Sequence, residues 1–251
     1  MEVRQYYMFT RSLLHCTGRF TDAARPARLQ AMARQLATSV LLDLDGTLTD
    51  PFPGISACII HALEQLNLPA PAPERLREWI GPPLLDSFRG YFQALGSGAD
   101  EHRALEHYRA RFSDLGLFEN EVYPGIPEVL GRLQQAGLRL YLATAKPLVY
   151  AQRIVEYFGL DSYLQACHGS ELDGTRSDKV ELLQFIVAQE RLDSAHCAMV
   201  GDRRHDMEAA RYHGMQAIGV QWGYGCDREL LTAGAEILLA RPEELADRLI
   251  G

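Results

Sequence analysis

Ser39-Val-Leu-Leu-Asp43-Leu-Asp45-Gly46-Thr47-Leu48-Thr49-Asp50 is the stretch on which the fold turns. A run that is apolar on both alternating faces reads as a central strand of a parallel sheet, because such a strand is covered on both sides. It ends in two aspartates, at i and i+2, followed by a glycine. Carboxylates at the end of a buried strand are costly to desolvate unless a cation or a reaction uses them. The stretch therefore predicts a strand and, at its carboxyl end, a place for chemistry.

Three further runs of the same kind follow, at Leu138 to Ala143, Cys197 to Val200 and Ala217 to Val220. Segments of helical period lie among them: Ile126 to Gln135 after Pro124-Gly125, Pro147 to Phe158 before Gly159, Lys179 to Glu190, and Arg204 to His213 before Gly214. This alternation predicts an α/β fold, a doubly wound parallel sheet with a Rossmann-like core, whose site lies beyond the carboxyl ends of the strands. Between about Pro53 and Val122 the alternation stops. Helical patterns at Ile55 to Gln65, Leu84 to Leu95 and Glu101 to Leu115 are punctuated by Pro69-Ala-Pro-Ala-Pro73 and Gly81-Pro-Pro83, with no strand pattern. The expected organisation is a catalytic core of residues 39–52 and 123–251, and an all-helical cap of residues 53–122 inserted after the first strand. The cap leaves from the loop that carries Asp45, so it is expected above the site.

Composition narrows the function classes. The 251 residues are 47% apolar, enough for a sizeable core, and carry a formal charge of −8. That charge argues against nucleic acid or an acidic membrane face as the main partner. Cys16, Cys58, Cys167, Cys197 and Cys226 are odd in number and lack CxxC spacing, which points away from a disulfide framework or a zinc site and towards a reducing, cytoplasmic setting. No apolar run approaches the roughly 18 residues of a membrane span. Residues 1–38 differ from the rest, with six arginines against Glu2 and Asp22. They lack the apolar segment of a secretory signal. Met32 stands just before the first strand, so residues 1 to 31 are expected to be an upstream over-extension or a disordered tail, which N-terminal mass spectrometry of the native protein tests.

Each predicted core strand delivers polar residues to the same edge. The first gives Asp43 and Asp45, the second ends Thr144-Ala-Lys146, and the third ends Gly201-Asp202-Arg-Arg-His-Asp206. A single aspartate at a strand end is more often a helix cap than a catalyst. Four acids, a threonine and a lysine converging from separate segments outweigh that reading. Lysine usage points the same way: of 25 basic residues only Lys146 and Lys179 are lysine, and both fall in these segments.

Asp43-Leu-Asp-Gly-Thr-Leu-Thr-Asp50, Thr144, Lys179 and Gly201-Asp202-Arg-Arg-His-Asp206 resemble, in order and spacing, the four motifs of the haloacid dehalogenase superfamily, in particular its phosphatases with a helical cap. Gly169-Ser-Glu-Leu-Asp-Gly-Thr-Arg-Ser-Asp-Lys179 and Ile80-Gly-Pro-Pro-Leu84 resemble the phosphoglycolate phosphatase-like subgroup, some members of which are described as 5′-nucleotidases. The resemblance implies a Mg²⁺-dependent phosphomonoester hydrolase acting on a small phosphorylated metabolite. Asp43 would attack phosphorus and form an aspartyl-phosphate. Asp45 would protonate the departing alcohol and later take a proton from water. The implied metal ligands are Asp43, the Asp45 main-chain carbonyl, Asp202 and Asp206, the last of which equally suits a first-turn acid at a helix N-terminus. Thr144 and Lys179 would hold the phosphoryl oxygens, with Thr47 and the amides of Asp45-Gly46-Thr47 as an anion cradle. Thr47 also fits a role in orienting Asp45 or satisfying the turn, and Lys146 fits a surface position as well as a phosphate contact.

Other residues receive structural expectations. His205 reads as a helix-start residue, and Trp79, Phe88, Tyr91 and Phe92 as cap core. Phe52 is the expected substrate contact in the linker, while Arg109 and Arg111 fit solvated helix positions better than a carboxylate grip. Phosphoglycolate is the first substrate expectation and a 5′-nucleotide the second. A phosphomutase and a phosphoaccepting receiver-type signalling domain are the alternatives, distinguished by phosphate release with Mg²⁺ against a stable phosphoprotein.

Overall fold

The computed structural model describes residues 37–251. The expectation for residues 1 to 31, and almost all of the 1–38 segment, lies outside the described residues. In chain order the elements are β1 (Ser39–Leu42), β2 (Thr49–Asp50), α1 (Phe52–Gln65), α2 (Pro73–Arg77), α3 (Leu84–Leu95), α4 (Glu101–Arg111), a π-helical turn (Phe112–Gly116), β3 (Glu121–Val122) and α5 (Ile126–Gln135). There follow β4 (Arg139–Pro147), α6 (Leu148–Tyr157), β5 (Ala166–Ser170), α7 (Lys179–Gln189), β6 (Cys197–Gly201), α8 (Arg204–Tyr212), β7 (Gln216–Val220), α9 (Asp227–Ala233), β8 (Ile237–Leu239) and α10 (Glu243–Ile250).

Six strands form one parallel sheet in the order β5-β4-β1-β6-β7-β8. The chain winds from β1 outward through β4 to β5, then returns to β6 on the other side of β1. The order therefore reverses at β1, and the carboxyl ends of β1, β4 and β6 are where a sheet of this topology places its site. The period of two along each strand divides the core between the two faces. Val40, Leu42, Leu140, Leu142, Ala198, Val200, Ile218 and Val220 face a layer built by α5, α6 and α10. Leu41, Tyr141, Ala143, Met199 and Ala217 face α7, α8 and α9. Both sets are buried, which is why these strands read as continuous apolar runs.

The helices α1 to α4 and the π-helical turn stand between β2 and β3 and form the cap. The structure adds a feature that the sequence reading lacks: β2 and β3 pair antiparallel, Thr49 with Val122 and Asp50 with Glu121, as a two-residue ribbon where the chain enters and leaves the helices. So the interval from Pro53 to Val122 contains a strand after all. At two residues, Glu121–Val122 is too short to show a period. The strands β5 and β8 also lack a strand signal in the sequence; β5 is Ala-Cys-His-Gly-Ser and β8 is three residues, neither an extended apolar run. Within the cap, Trp79 meets Phe88 and Tyr91 edge-on at 5.3 and 5.7 Å, and Phe92 packs on Phe88. All four are buried, as cap core.

Candidate active site

The loop after β1 is shaped by a glycine. Gly46 has φ +83°, and a Cβ there would lie 2.2 Å from Asp202 Oδ2, so the chain turns against the end of β6 only without a side chain. The turn uses its own amides. Gly46 N donates to Thr49 O and Thr47 N to Leu44 O, so the anion cradle expected from these amides is not available from those two. The Thr47 hydroxyl is buried and makes no hydrogen bond, while its carbonyl accepts from Trp222 Nε1 at 3.0 Å.

Four strand and helix ends meet at this turn. Asp43 from β1 and Asp202 and Asp206 from the end of β6 and the start of α8 each place a carboxylate oxygen within 4.8 Å of the others, all buried. Lys179, the first residue of α7, reaches two of them. Its Nζ lies 2.9 Å from Asp43 Oδ1, 2.8 Å from Asp206 Oδ1 and 2.9 Å from Ala143 O. The Asp178 carboxylate caps α7 by accepting from the Val180 and Glu181 amides, which fixes where Lys179 leaves the helix. Asp206 serves two purposes at once, because its Oδ2 also accepts from Arg203 N and closes the first turn of α8.

Three carboxylates facing one ammonium leave a surplus of negative charge. Asp202 is fully buried, and burial, together with the charges of Asp43 and Asp206, drives its carboxyl well above the ordinary range. Its Oδ2 accepts from Tyr224 N at 2.7 Å, but Oδ1 has no partner. Burial likewise raises Asp206, to about 6, against the pull of Lys179. For Lys179, burial works against the charged form, but Asp206 and Asp43 outweigh it and raise its pKa. A hard, oxygen-preferring cation fits this set: it would satisfy the orphaned Asp202 oxygen and the repulsion among the three acids.

Asp45 and Lys146 form a second pair beside the first. Lys146 Nζ lies 2.9 Å from Asp45 Oδ2, with the lysine side chain 7% exposed, and 4.7 Å from the centre of the Phe112 ring in the π-helical turn of the cap. Asp45 Oδ1 is buried without a partner. Burial raises the Asp45 carboxyl above its ordinary value, opposed mainly by Lys146. Thr144, two residues before Lys146, is buried, and its Oγ1 accepts from Lys146 N at 3.2 Å. The sequence singled out Lys146 without assigning it; its partnership with Asp45 needs the loop and the strand end brought face to face.

The loop after β7 was not read from the sequence. Trp222 holds the Thr47 carbonyl, Tyr224 N holds Asp202, and the Tyr224 hydroxyl donates to Asp50 Oδ1 in the cap ribbon. Gly223 lies so close that a Cβ would fall 2.3 Å from Gly46 O. The signal was present as Trp222-Gly-Tyr-Gly225 just past a buried strand, where glycine between aromatic residues marks close backbone approach. A cavity of about 340 Å³ adjoins this loop, lined by Arg77 and Glu78 of the cap and by Arg203, Gly223, Tyr224 and Glu229.

The remaining candidates have other duties. Arg77 lies 4.4 Å above the Phe52 ring, so that face of Phe52 is covered. Arg111 forms a fork with both Glu119 oxygens and donates to Cys58 Sγ, inside the cap. Arg109 donates to Leu172 O across to the core. His205 sits in the first turn of α8, half-buried, which lowers its pKa.

Comparison with known proteins places this geometry. A family model described as haloacid dehalogenase-like hydrolase matches residues 40–220. The chain is 46% identical over 195 residues to a 5′-nucleotidase of Pseudomonas aeruginosa, covering 76% of this chain and 86% of that protein. It is 38% identical over 186 residues to the tyrosine-protein kinase PtkA of Mycobacterium tuberculosis, covering 74% of this chain but only 62% of that protein. A predicted phosphatase from Clostridium acetobutylicum has a similar structure, with a TM-score of 0.79 at 35% identity over 86% of this chain and 99% of that one. More distant relatives named phosphoglycolate phosphatase are 25 to 27% identical. On these matches the chain belongs to the haloacid dehalogenase-like hydrolases, as an enzyme of their phosphatase branch.

Proposed function

We propose that the protein hydrolyses a phosphomonoester through an aspartyl-phosphate on Asp43, with Mg²⁺ held by Asp43, Asp202, Asp206 and the Asp45 carbonyl. The observation that carries this reading is the cluster of three buried carboxylates, two of them, Asp43 and Asp206, bridged by Lys179, with Asp45 following Asp43 on the same loop. An Asp43 oxygen forms the bond to phosphorus as the ester P–O bond breaks, and the departing oxygen takes the proton of Asp45. Asp45 then removes a proton from the water that cleaves the acyl phosphate, restoring both residues. Lys179 and the Thr144 hydroxyl neutralise and orient the phosphoryl oxygens. When bound, Mg²⁺ supplies the positive charge that lets an anionic carboxylate approach an anionic phosphate. Asp45 suits acid-base duty because burial raises its carboxyl above the ordinary carboxylate range, against the pull of Lys146.

The substrate reading shifts from the sequence-based order towards a 5′-nucleotide, ahead of phosphoglycolate. One observation supports it: the 46% identical relative bears the name 5′-nucleotidase. The test is a panel of phosphate esters with Mg²⁺, ranked by kcat/KM. Nucleoside 5′-monophosphates are expected above phosphoglycolate; the reverse order overturns the substrate reading. Asp43→Asn is expected to abolish turnover, and wild-type rates in that variant overturn the nucleophile. A stable phosphoprotein without phosphate release would favour the receiver-type alternative.

A further inference from the structure

The two lysines of the chain each meet one of the two acids from the β1 loop, and only one of those lysines stands at the phosphate site. Lys179 bridges Asp43 and Asp206, where phosphoryl charge gathers. Lys146 instead pairs with Asp45 through Oδ2 and makes its other close contact with the face of Phe112. Two local irregularities create this arrangement. Pairing between β4 and β5 runs from Ala143 opposite His168 to Pro147 opposite Ser170, so four steps on β4 answer two on β5. Thr144 to Lys146, three residues against the single Gly169, bulge from the ladder, a device that re-aims side chains. They are fixed there by Lys146 N donating to Thr144 Oγ1 and by Ser170 Oγ donating to Ala145 O. On the cap side the chain leaves α4 in a π-helical turn that begins at Phe112, and Tyr108 stacks on that ring at 5.2 Å. Such turns are rare and concentrate at functional sites.

We propose that Lys146 is a positioning residue that, seated on the cap residue Phe112, fixes the Asp45 carboxylate by Oδ2 and leaves Oδ1 to the leaving-group oxygen. The inference rests on the acid-base role given to Asp45 above. A carboxylate swinging about its last torsion presents either oxygen in many directions. A buried ammonium on one oxygen removes that freedom, and the unpartnered Oδ1 remains for the proton transfer. The aromatic face also attracts the ammonium, without competing for it as an anion would. Because Phe112 belongs to the cap and Asp45 to the core, the acid is aligned only when the cap is seated.

Leaving-group dependence tests this directly. An alkyl phosphate needs its departing oxygen protonated, whereas 2,4-dinitrophenyl phosphate releases a stable anion. Lys146→Met is expected to lose about 10² in kcat/KM on the alkyl ester and to stay within about threefold of wild type on the dinitrophenyl ester. Phe112→Leu keeps the cap apolar but removes the ring face, and it is expected to show the same selectivity in weaker form, which serves if Lys146→Met fails to fold. Equal losses on both esters in the two variants overturn the proposal and assign Lys146 to the phosphate or to the fold. Asp45→Asn separates this from the parent reading. If that variant shows no selectivity between the esters, the acid-base role itself falls; if it is selective and the Lys146 variant is not, only the positioning role falls.

Discussion

Asp43 and Asp45 leave the same strand two residues apart, yet each meets a different lysine and a different environment. Their spacing was legible because carboxylates at the end of an apolar run need a reason to be there. Their partners were not, since Lys146 and Lys179 reach them from other segments of the chain. The same burial that raises Asp202 and Asp206 gives a pH prediction. The folded state holds protons on these carboxyls at higher pH than the unfolded chain would, and a bound cation requires them deprotonated. Protons are therefore expected to compete with the proposed Mg²⁺ as pH falls through the Asp206 value of about 6. Calorimetric titration with Mg²⁺ is expected to show affinity strengthening from pH about 5 to about 7, with a shallower dependence in Asp206→Asn. A flat profile would remove these carboxylates from the metal site.

At the scale of elements, the loop after β7 ties the site to the cap ribbon. Through Tyr224 the main chain holds Asp202 and the side chain holds Asp50, which also accepts from the Phe52 amide at the start of α1. Tyr224→Phe keeps the aromatic packing and the amide but removes the hydroxyl. The loss of a hydrogen bond to a charged group predicts destabilisation of about 1.5–3 kcal/mol, measured by denaturant unfolding. KM is expected to rise more than kcat falls, because the cap is loosened while Asp202 keeps its amide. An unchanged midpoint and KM would show that the ribbon does not depend on this contact. Long periodic elements such as α5 and α7 were legible nearly to the residue. The ribbon strands, β5, β8 and the five-residue α2 were not, because elements this short carry too few residues to reveal a period and exist through their neighbours.

Across the whole molecule, alternate residues of β1, β4, β6 and β7 commit to opposite helical layers, so each layer has its own half of the core. Leu41 is fully buried in the layer of α7 and α8, the helices that present Lys179 and Asp206. Leu41→Ala is expected to cost about 2–5 kcal/mol in denaturant unfolding by leaving a cavity in a dense core. A cost below about 1 kcal/mol would mean that this layer collapses freely around the gap. The sequence by itself determined the strand at residue 39, the doubly wound pattern, the helical insert and the acids at the strand ends. These are written in local periods and in charges placed where burial is expensive. Only the tertiary structure decided that Lys146 belongs to Asp45 and rests on Phe112, that the loop of Trp222 and Tyr224 binds the site to the cap, and that the amides of Gly46 and Thr47 are used within their own turn. Each of those depends on groups far apart in the chain meeting at a distance of a few ångströms, and no local pattern encodes such a meeting.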